Sequence, residues 1–237
     1  MAVFSYLTLQ APTQGSYKEK GSKFLAFAYP VTSSAEIKDK LESLRKEYFD
    51  ARHHCYAWML GPDQKKFRAV DDGEPNHSAG DPILGQIRAK GLTDVLIVVV
   101  RYFGGIKLGV GGLITAYKAA SDDALQHGTI IKKDVMETVT LRYDYGATPE
   151  VMRLIKDLTV QIAGQEFAEQ CRMTIHFPLK QKREIRRRPG VASGVGYSGE
   201  RCLNHPCFRS SLMRCEASVS FMEERMTHCT SGIDKGA

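Results

Sequence analysis

Three carboxylates, Asp71, Asp72 and Glu74, fall within four positions around Gly73, and Ser78 follows closely. Hard cations such as Mg²⁺ take oxygen ligands of this kind, and a carboxylate so placed can also act as a general base. The same residues build turns, because Asp and Ser accept backbone N–H bonds and Gly adopts left-handed conformations. Spacing alone favours the turn.

A second segment, residues 101–113, carries Arg101, Gly104, Gly105, Lys107, Gly109, Gly111 and Gly112 between an apolar run and a helical stretch. Its glycines permit close backbone approach. The free N–H groups of the following helix would face an anion, with Lys107 and Arg101 as counter-charges. That suits the phosphate of a nucleotide or an RNA backbone. The order is not that of a P-loop, and Ile114 stands where a dinucleotide fingerprint needs its third glycine. The competing reading is a tight, glycine-lined packing crossover. The third segment is His53-His54-Cys55. On a strand His53 and Cys55 share one face and His54 takes the other. His53 and His54 are candidates for zinc binding or proton transfer. No second ligand pair has suitable spacing, so structural histidines are the better reading.

The elements that must position these groups follow from periodicity. Residues 22–31 read as a strand ending near Pro30, and Ser33 or Ser34 can cap a helix over residues 35–49. Residues 53–60 form a second strand, and 67–70 a short one before the polar segment 71–81. A helix over 82–90 has Pro82 in its first turn. Residues 94–102 are apolar on both faces and therefore central. A helix from about Gly111 to Gln126 follows the glycine loop. A second unit begins near Lys132. In it, residues 135–145 alternate, with Val135, Glu137, Val139, Leu141 and Tyr143 on one face. Thr148-Pro149 opens a helix, and residues 159–167 and 171–178 are two more strands. This strand-helix-strand-strand order opens a split βαβ sandwich, which still needs a helix and a closing strand.

Residues 179–237 offer neither clearly. The helix-compatible start, 179–188, breaks at Pro189-Gly190. Cys202, Cys207, Cys215 and Cys229 miss the paired spacing of a zinc module. This tail is expected to be poorly ordered or to derive from an altered reading frame. It also holds most of the positive charge. Residues 1–178 carry 22 Lys and Arg against 21 Asp and Glu, whereas 179–237 carry 11 against 6. Global basicity is therefore no argument that the body binds nucleic acid, although a local basic face is compatible with it. No run reaches the roughly 18 apolar residues of a membrane span, and the first ten residues lack a signal-peptide pattern. A cytoplasmic protein without a disulfide framework is expected.

The stretches Gly21-Ser-Lys-Phe-Leu, Ala51-Arg-His-His-Cys-Tyr-Ala, Asp71-Asp-Gly-Glu-Pro, Ser78-Ala-Gly-Asp-Pro-Ile-Leu and residues 98–113 together resemble the IMPACT/YigZ family. The resemblance covers residues 20–128 and continues more weakly to about 178. It implies an α+β protein. Residues 1–130 would be a βαβ domain similar to domain IV of elongation factor G, and 132–178 an incomplete ferredoxin-like domain. It also implies a link to translation through RNA or ribosome contact. Eukaryotic members restrain the amino-acid starvation kinase pathway through an extra N-terminal interaction domain. The stretch before Gly21 leaves no room for that domain, so a bacterial YigZ-type member is expected. Two functions follow as expectations. One is a translation-associated RNA- or ribosome-binding regulator using the glycine loop. The other is a metal-assisted hydrolase or nucleotide-binding enzyme using both loops. No organic cofactor is expected, and Mg²⁺ is the candidate ion. In the sharpest form of the expectation, Asp71, Asp72, Glu74, Arg101, Lys107 and the loop glycines share one surface site.

Overall fold

Six consecutive residues of the apolar run 95–100 are wholly shielded from solvent. Each such side chain contributes roughly 1.5–3 kcal/mol on burial, so the run takes a position covered on both faces. In the computed structural model, which describes residues 3–158, 160–167, 170–187 and 198–200, it is the middle strand of a five-stranded antiparallel sheet. In chain order the first lobe comprises β1 (Ser5–Leu9), β2 (Thr13–Glu19), β3 (Ser22–Pro30), α1 (Ser34–Glu47), β4 (His53–Leu60), β5 (Lys66–Val70), α2 (Gly80–Ala89), β6 (Val95–Tyr102) and α3 (Gly109–Gln126). The sheet order is β2-β3-β6-β4-β5. Val95, Ile97 and Val99 pack under α2 and α3 with Phe24, Cys55 and Tyr117. Leu96, Val98 and Val100 pack under α1 with Ile37 and Leu44.

Local chemistry sets the helix ends. Ser33 caps α1 by accepting from the Glu36 N–H at 3.2 Å, and Glu36 in turn accepts from the Thr32 N–H. Helix α2 begins at Gly80, two residues before the sequence places it. The Asp71 carboxylate accepts from the Ala79 and Gly80 N–H groups at 3.0 and 2.8 Å and so extends the helix backwards. Strands β1 and β2 precede the first strand read from sequence. β1 pairs with β7 (Ile130–Asp134), the ribbon that runs through the position where the sequence reading divides the chain.

The second lobe holds β8 (Met136–Tyr143), α4 (Thr148–Asp157), β9 (Gln161–Phe167), β10 (Cys171–Pro178), α5 (Lys182–Arg187) and β11 (Ser198–Glu200). Its antiparallel order is β11-β8-β10-β9, over a separate core that includes Val139, Leu141, Leu154, Met173 and Ile175. The closing helix and strand, expected to be damaged or missing, are found within the described residues. Both are present in short form: α5 buries Ile185, and β11 pairs with β8 from Ser198–Thr140 to Glu200–Thr138. The split βαβ sandwich is therefore closed. A six-residue helix and a three-residue strand carry too little periodicity to be read from sequence. Glu137, which sequence places on the apolar face, is indeed buried, and Lys182 of α5 donates to its carboxylate at 2.5 Å. The expectations for residues 201–237, including Cys202, Cys207, Cys215 and Cys229, lie outside the described residues. Among the described residues no helix is long and apolar enough to cross a membrane.

Candidate functional site

The acidic loop and the glycine loop meet at one end of the five-stranded sheet. Arg101, near the end of β6, lies opposite His53 at the start of β4, and its side chain rises on the α2/α3 side. There its guanidinium donates to Glu74 Oε1 at 2.5 Å, and the Tyr117 hydroxyl of α3 donates to the same oxygen at 2.8 Å. The Glu74 and Arg101 side chains are 4% and 8% exposed, so the pair is desolvated. The guanidinium carbon also lies 5.5 Å from the Phe24 ring centroid and 5.7 Å from that of Phe103. Its Nε atom is buried without a hydrogen-bond partner. Cys55 completes the network. Its thiol has the Asp71 carbonyl at 2.8 Å and the Tyr117 hydroxyl at 3.3 Å as acceptors. Burial pushes this thiol up to about 12, which keeps it protonated and unreactive at neutral pH. Burial, followed by the Cys55 and Glu74 neighbours, also pushes the Tyr117 hydroxyl far upward, so it remains a donor.

The other two carboxylates have different partners. Asp71 accepts from the N–H groups of His77, Ala79 and Gly80. Burial pulls its pKa upward, but these three N–H bonds outweigh burial and hold it below the usual range. Asp72 accepts from the His54 N–H at 2.7 Å and from Arg45 of α1 at 3.3 Å, while its carbonyl faces His53 Nδ1 at 2.9 Å. Asp72 and Gly73 both take left-handed backbone angles, with φ of 43° and 86°. Ser78 is fully buried and donates to the Pro75 carbonyl at 2.6 Å. His53 and His54 point to opposite faces of β4 and do not form one ligand pair. His54 is buried beside α1 with Nε2 unpartnered, and burial lowers its pKa. Among the described residues no group of three His, Cys, Asp or Glu is arranged to hold a metal ion.

The glycines divide in the same way. A Cβ on Gly104 would lie 1.9 Å from the Gly21 carbonyl carbon, and the Gly104 N–H donates to Ser22 Oγ at 3.1 Å. This glycine locks the loop to the β2–β3 turn and serves packing. Gly112 lies against Leu108, with 3.1 Å from its notional Cβ to that side chain. Gly105 and Gly109 adopt positive φ, 88° and 72°, and their notional Cβ atoms meet nothing within 4 Å. Gly111 has neither a positive φ nor a close neighbour, and it sits exposed in the first turn of α3. That helix starts without a side-chain cap and without an acidic residue in its first turn. Lys107 is exposed beside it. The structure thus brings Glu74 and Arg101 into contact and places Lys107 and Gly111 on the surface of the adjoining loop. Asp71 and Asp72 are directed elsewhere. Tyr117 and Phe103 are the site residues that sequence reasoning missed. Tyr117 lies on the buried stripe of α3, and its one sequence signal is that a buried tyrosine hydroxyl needs a partner.

An α+β protein whose first lobe ties an acidic loop to a glycine loop through a buried carboxylate–guanidinium pair defines the class. The Impact N-terminal domain family matches residues 20–125. The IMPACT family member YigZ of Escherichia coli (strain K12) is 32% identical over 183 residues, 76% of this chain and 90% of the relative. The IMPACT family member YvyE of Bacillus subtilis (strain 168) is 33% identical over 141 residues, 60% of this chain and 65% of that one. A crystal structure described as a hypothetical protein aligns with a TM-score of 0.66 at 30% identity, covering 83% of this chain and 97% of its own. The chain belongs to the IMPACT family.

Proposed function

We propose that this chain is a translation-associated, cytoplasmic regulator that binds RNA, free or in the ribosome, through phosphate contact at the glycine loop and the first turn of α3. The observation that carries the reading is Gly111. A glycine inside a helix costs about 0.5–1 kcal/mol relative to alanine, and here neither backbone angle nor packing requires it. A ligand approaching the backbone closely does account for it. The uncapped N–H groups of α3 and the exposed Lys107 make that approach favourable to an anion. Family membership supports the translation link, which the sequence resemblance implies. A metal-assisted hydrolase or nucleotide-binding enzyme is less well supported, because each of the three carboxylates already has its own protein partners. On the favoured reading Mg²⁺ is dispensable for binding.

The test is fluorescence anisotropy of the full chain with labelled RNA across 50–300 mM salt, with and without EDTA. The expected result is affinity that falls steeply with salt, is insensitive to EDTA, and drops in Lys107→Gln. Salt-independent binding, or a Lys107→Gln variant indistinguishable from wild type, would count against the reading. The experiment requires the intact chain: ending it at residue 178 would remove α5 and β11.

A further inference from the structure

Phe103 is the first residue after β6, and it is 57% exposed. A single exposed ring is ordinary, and what sets this one apart is its surroundings. The Arg101 guanidinium lies over the ring at 5.7 Å and holds it from the protein side. Gly105, two residues on, leaves open space where a side chain would stand. Ile106 and Val110, also exposed, extend an apolar surface along the loop into α3.

The rim of this surface is cationic. The Gly104–Gly21 contact pins the glycine loop to the β2–β3 hairpin, whose tip carries Lys18, Lys20 and Lys23. Lys18 lies opposite Lys23, and Lys23 opposite Tyr102, so these two side chains take the α1 face with Tyr102, and Lys20 at the turn is the hairpin lysine next to the glycine loop. All three lysines and Lys107 are exposed, and none has an ion-pair partner among the described residues. Of the nearby carboxylates, Glu74 is paired with Arg101 and Asp72 with Arg45, while Asp50 and Glu19 accept from the Tyr102 and Tyr17 hydroxyls and keep their charge, so the positive excess of the rim rests on Lys20 and Lys107. An exposed ring backed by a guanidinium and bordered by unpaired lysines complements a polyanion that also offers flat π-faces.

We infer that Phe103 is a stacking platform for an unpaired RNA base, with Lys20 of the β2–β3 turn and Lys107 tracking the backbone on either side. The inference rests on the RNA reading above and narrows its ligand to single-stranded RNA. A duplex hides its base faces and offers Phe103 nothing to stack on.

The experiment compares a 12-nucleotide single-stranded oligouridine-rich RNA with a duplex of the same length, using the full chain and the variants Phe103→Leu, Phe103→Trp and Lys20→Gln with Lys107→Gln. Phe103→Leu keeps an apolar side chain against Arg101 but removes the π-face. It should weaken single-strand binding about 10-fold and leave duplex binding within about twofold. Phe103→Trp should retain single-strand affinity and show fluorescence quenching on binding that Trp58 of the wild type does not show. The double lysine variant should lower the slope of log affinity against log salt by about 0.7 per lysine. If wild type binds single strands and Phe103→Leu binds them equally well, the platform is wrong while the RNA reading stands. If wild type binds neither RNA at 50 mM salt, both fall. Equal loss for single strand and duplex would also overturn the stacking role.

Discussion

Arg101 and Glu74, 27 positions apart, form a desolvated ion pair in which a guanidinium nitrogen lies 2.5 Å from Glu74 Oε1. A buried pair of this kind is weak evidence for stability on its own, since desolvation opposes attraction. Removing one partner, however, leaves an uncompensated charge and costs about 3–5 kcal/mol. Arg101→Met should therefore destabilise the first lobe by that order in urea titration, and adding Glu74→Gln should recover most of the loss. If the double variant is as unstable as Arg101→Met, the cost lies in lost packing against Phe24 and Phe103 and not in the stranded carboxylate.

Asp71 gives an acid-limb prediction. Its folded pKa lies below the unfolded value of about 3.9, so its contribution is present above that pH and is lost as pH falls through the folded value. Asp71→Asn puts an amide donor against one of the three N–H groups and should cost about 1–2 kcal/mol at pH 7. The gap between wild-type and variant urea midpoints should narrow between pH 4 and pH 2.5. A gap that stays constant over that range would show that the carboxylate charge is not what holds the start of α2.

Cys55 and Cys171 are both buried free thiols. The Cys55 thiol, pushed up to about 12, should resist iodoacetamide at pH 8 in the native protein and react fully in 6 M guanidinium. Peptide mass spectrometry of the alkylated chain reads each cysteine separately. Rapid native labelling of Cys55 would contradict its place in the Tyr117–Glu74 network.

The elements legible in the sequence were those with strong local signals. The strand at 95–102 announces itself through the unbroken apolar run 95–100, and α1 through the candidate caps Ser33 and Ser34 ahead of an amphipathic stretch. Strand β2, Thr13–Glu19, escaped because it is an edge strand of mostly polar and charged residues. Strand β11 escaped because Ser-Gly-Glu contributes backbone pairing and no hydrophobic pattern. At the site, composition showed that carboxylates and glycines crowd two loops, but not how they are shared out. Asp71, Asp72 and Glu74 are near neighbours in sequence, yet a left-handed turn at Asp72 and Gly73 sends them to three different partners. The Glu74–Tyr117 bond spans 43 positions and is fixed by the sheet and not by any local motif. Lys20 gained meaning only once the Gly21–Gly104 contact placed the β2–β3 turn beside the glycine loop.

That contact also separates glycines kept for the fold from those kept for a ligand. An added Cβ at Gly104 would sit 1.9 Å from backbone, a clash that no side-chain adjustment relieves. Gly104→Ala should thus cost at least about 2 kcal/mol or prevent folding, because the loop and the β2–β3 turn must move apart. Gly111→Ala meets nothing within 4 Å, and the alanine reduces the entropy of the unfolded chain. It should stabilise the protein by about 0.4–1 kcal/mol while weakening RNA binding severalfold, because its methyl group would stand in the path of a phosphate approaching the first turn of α3. Thermal unfolding and RNA anisotropy on the same preparation read the two effects together. A Gly111→Ala protein that is more stable and binds RNA as well as wild type would mean that no ligand approaches the helix at this position.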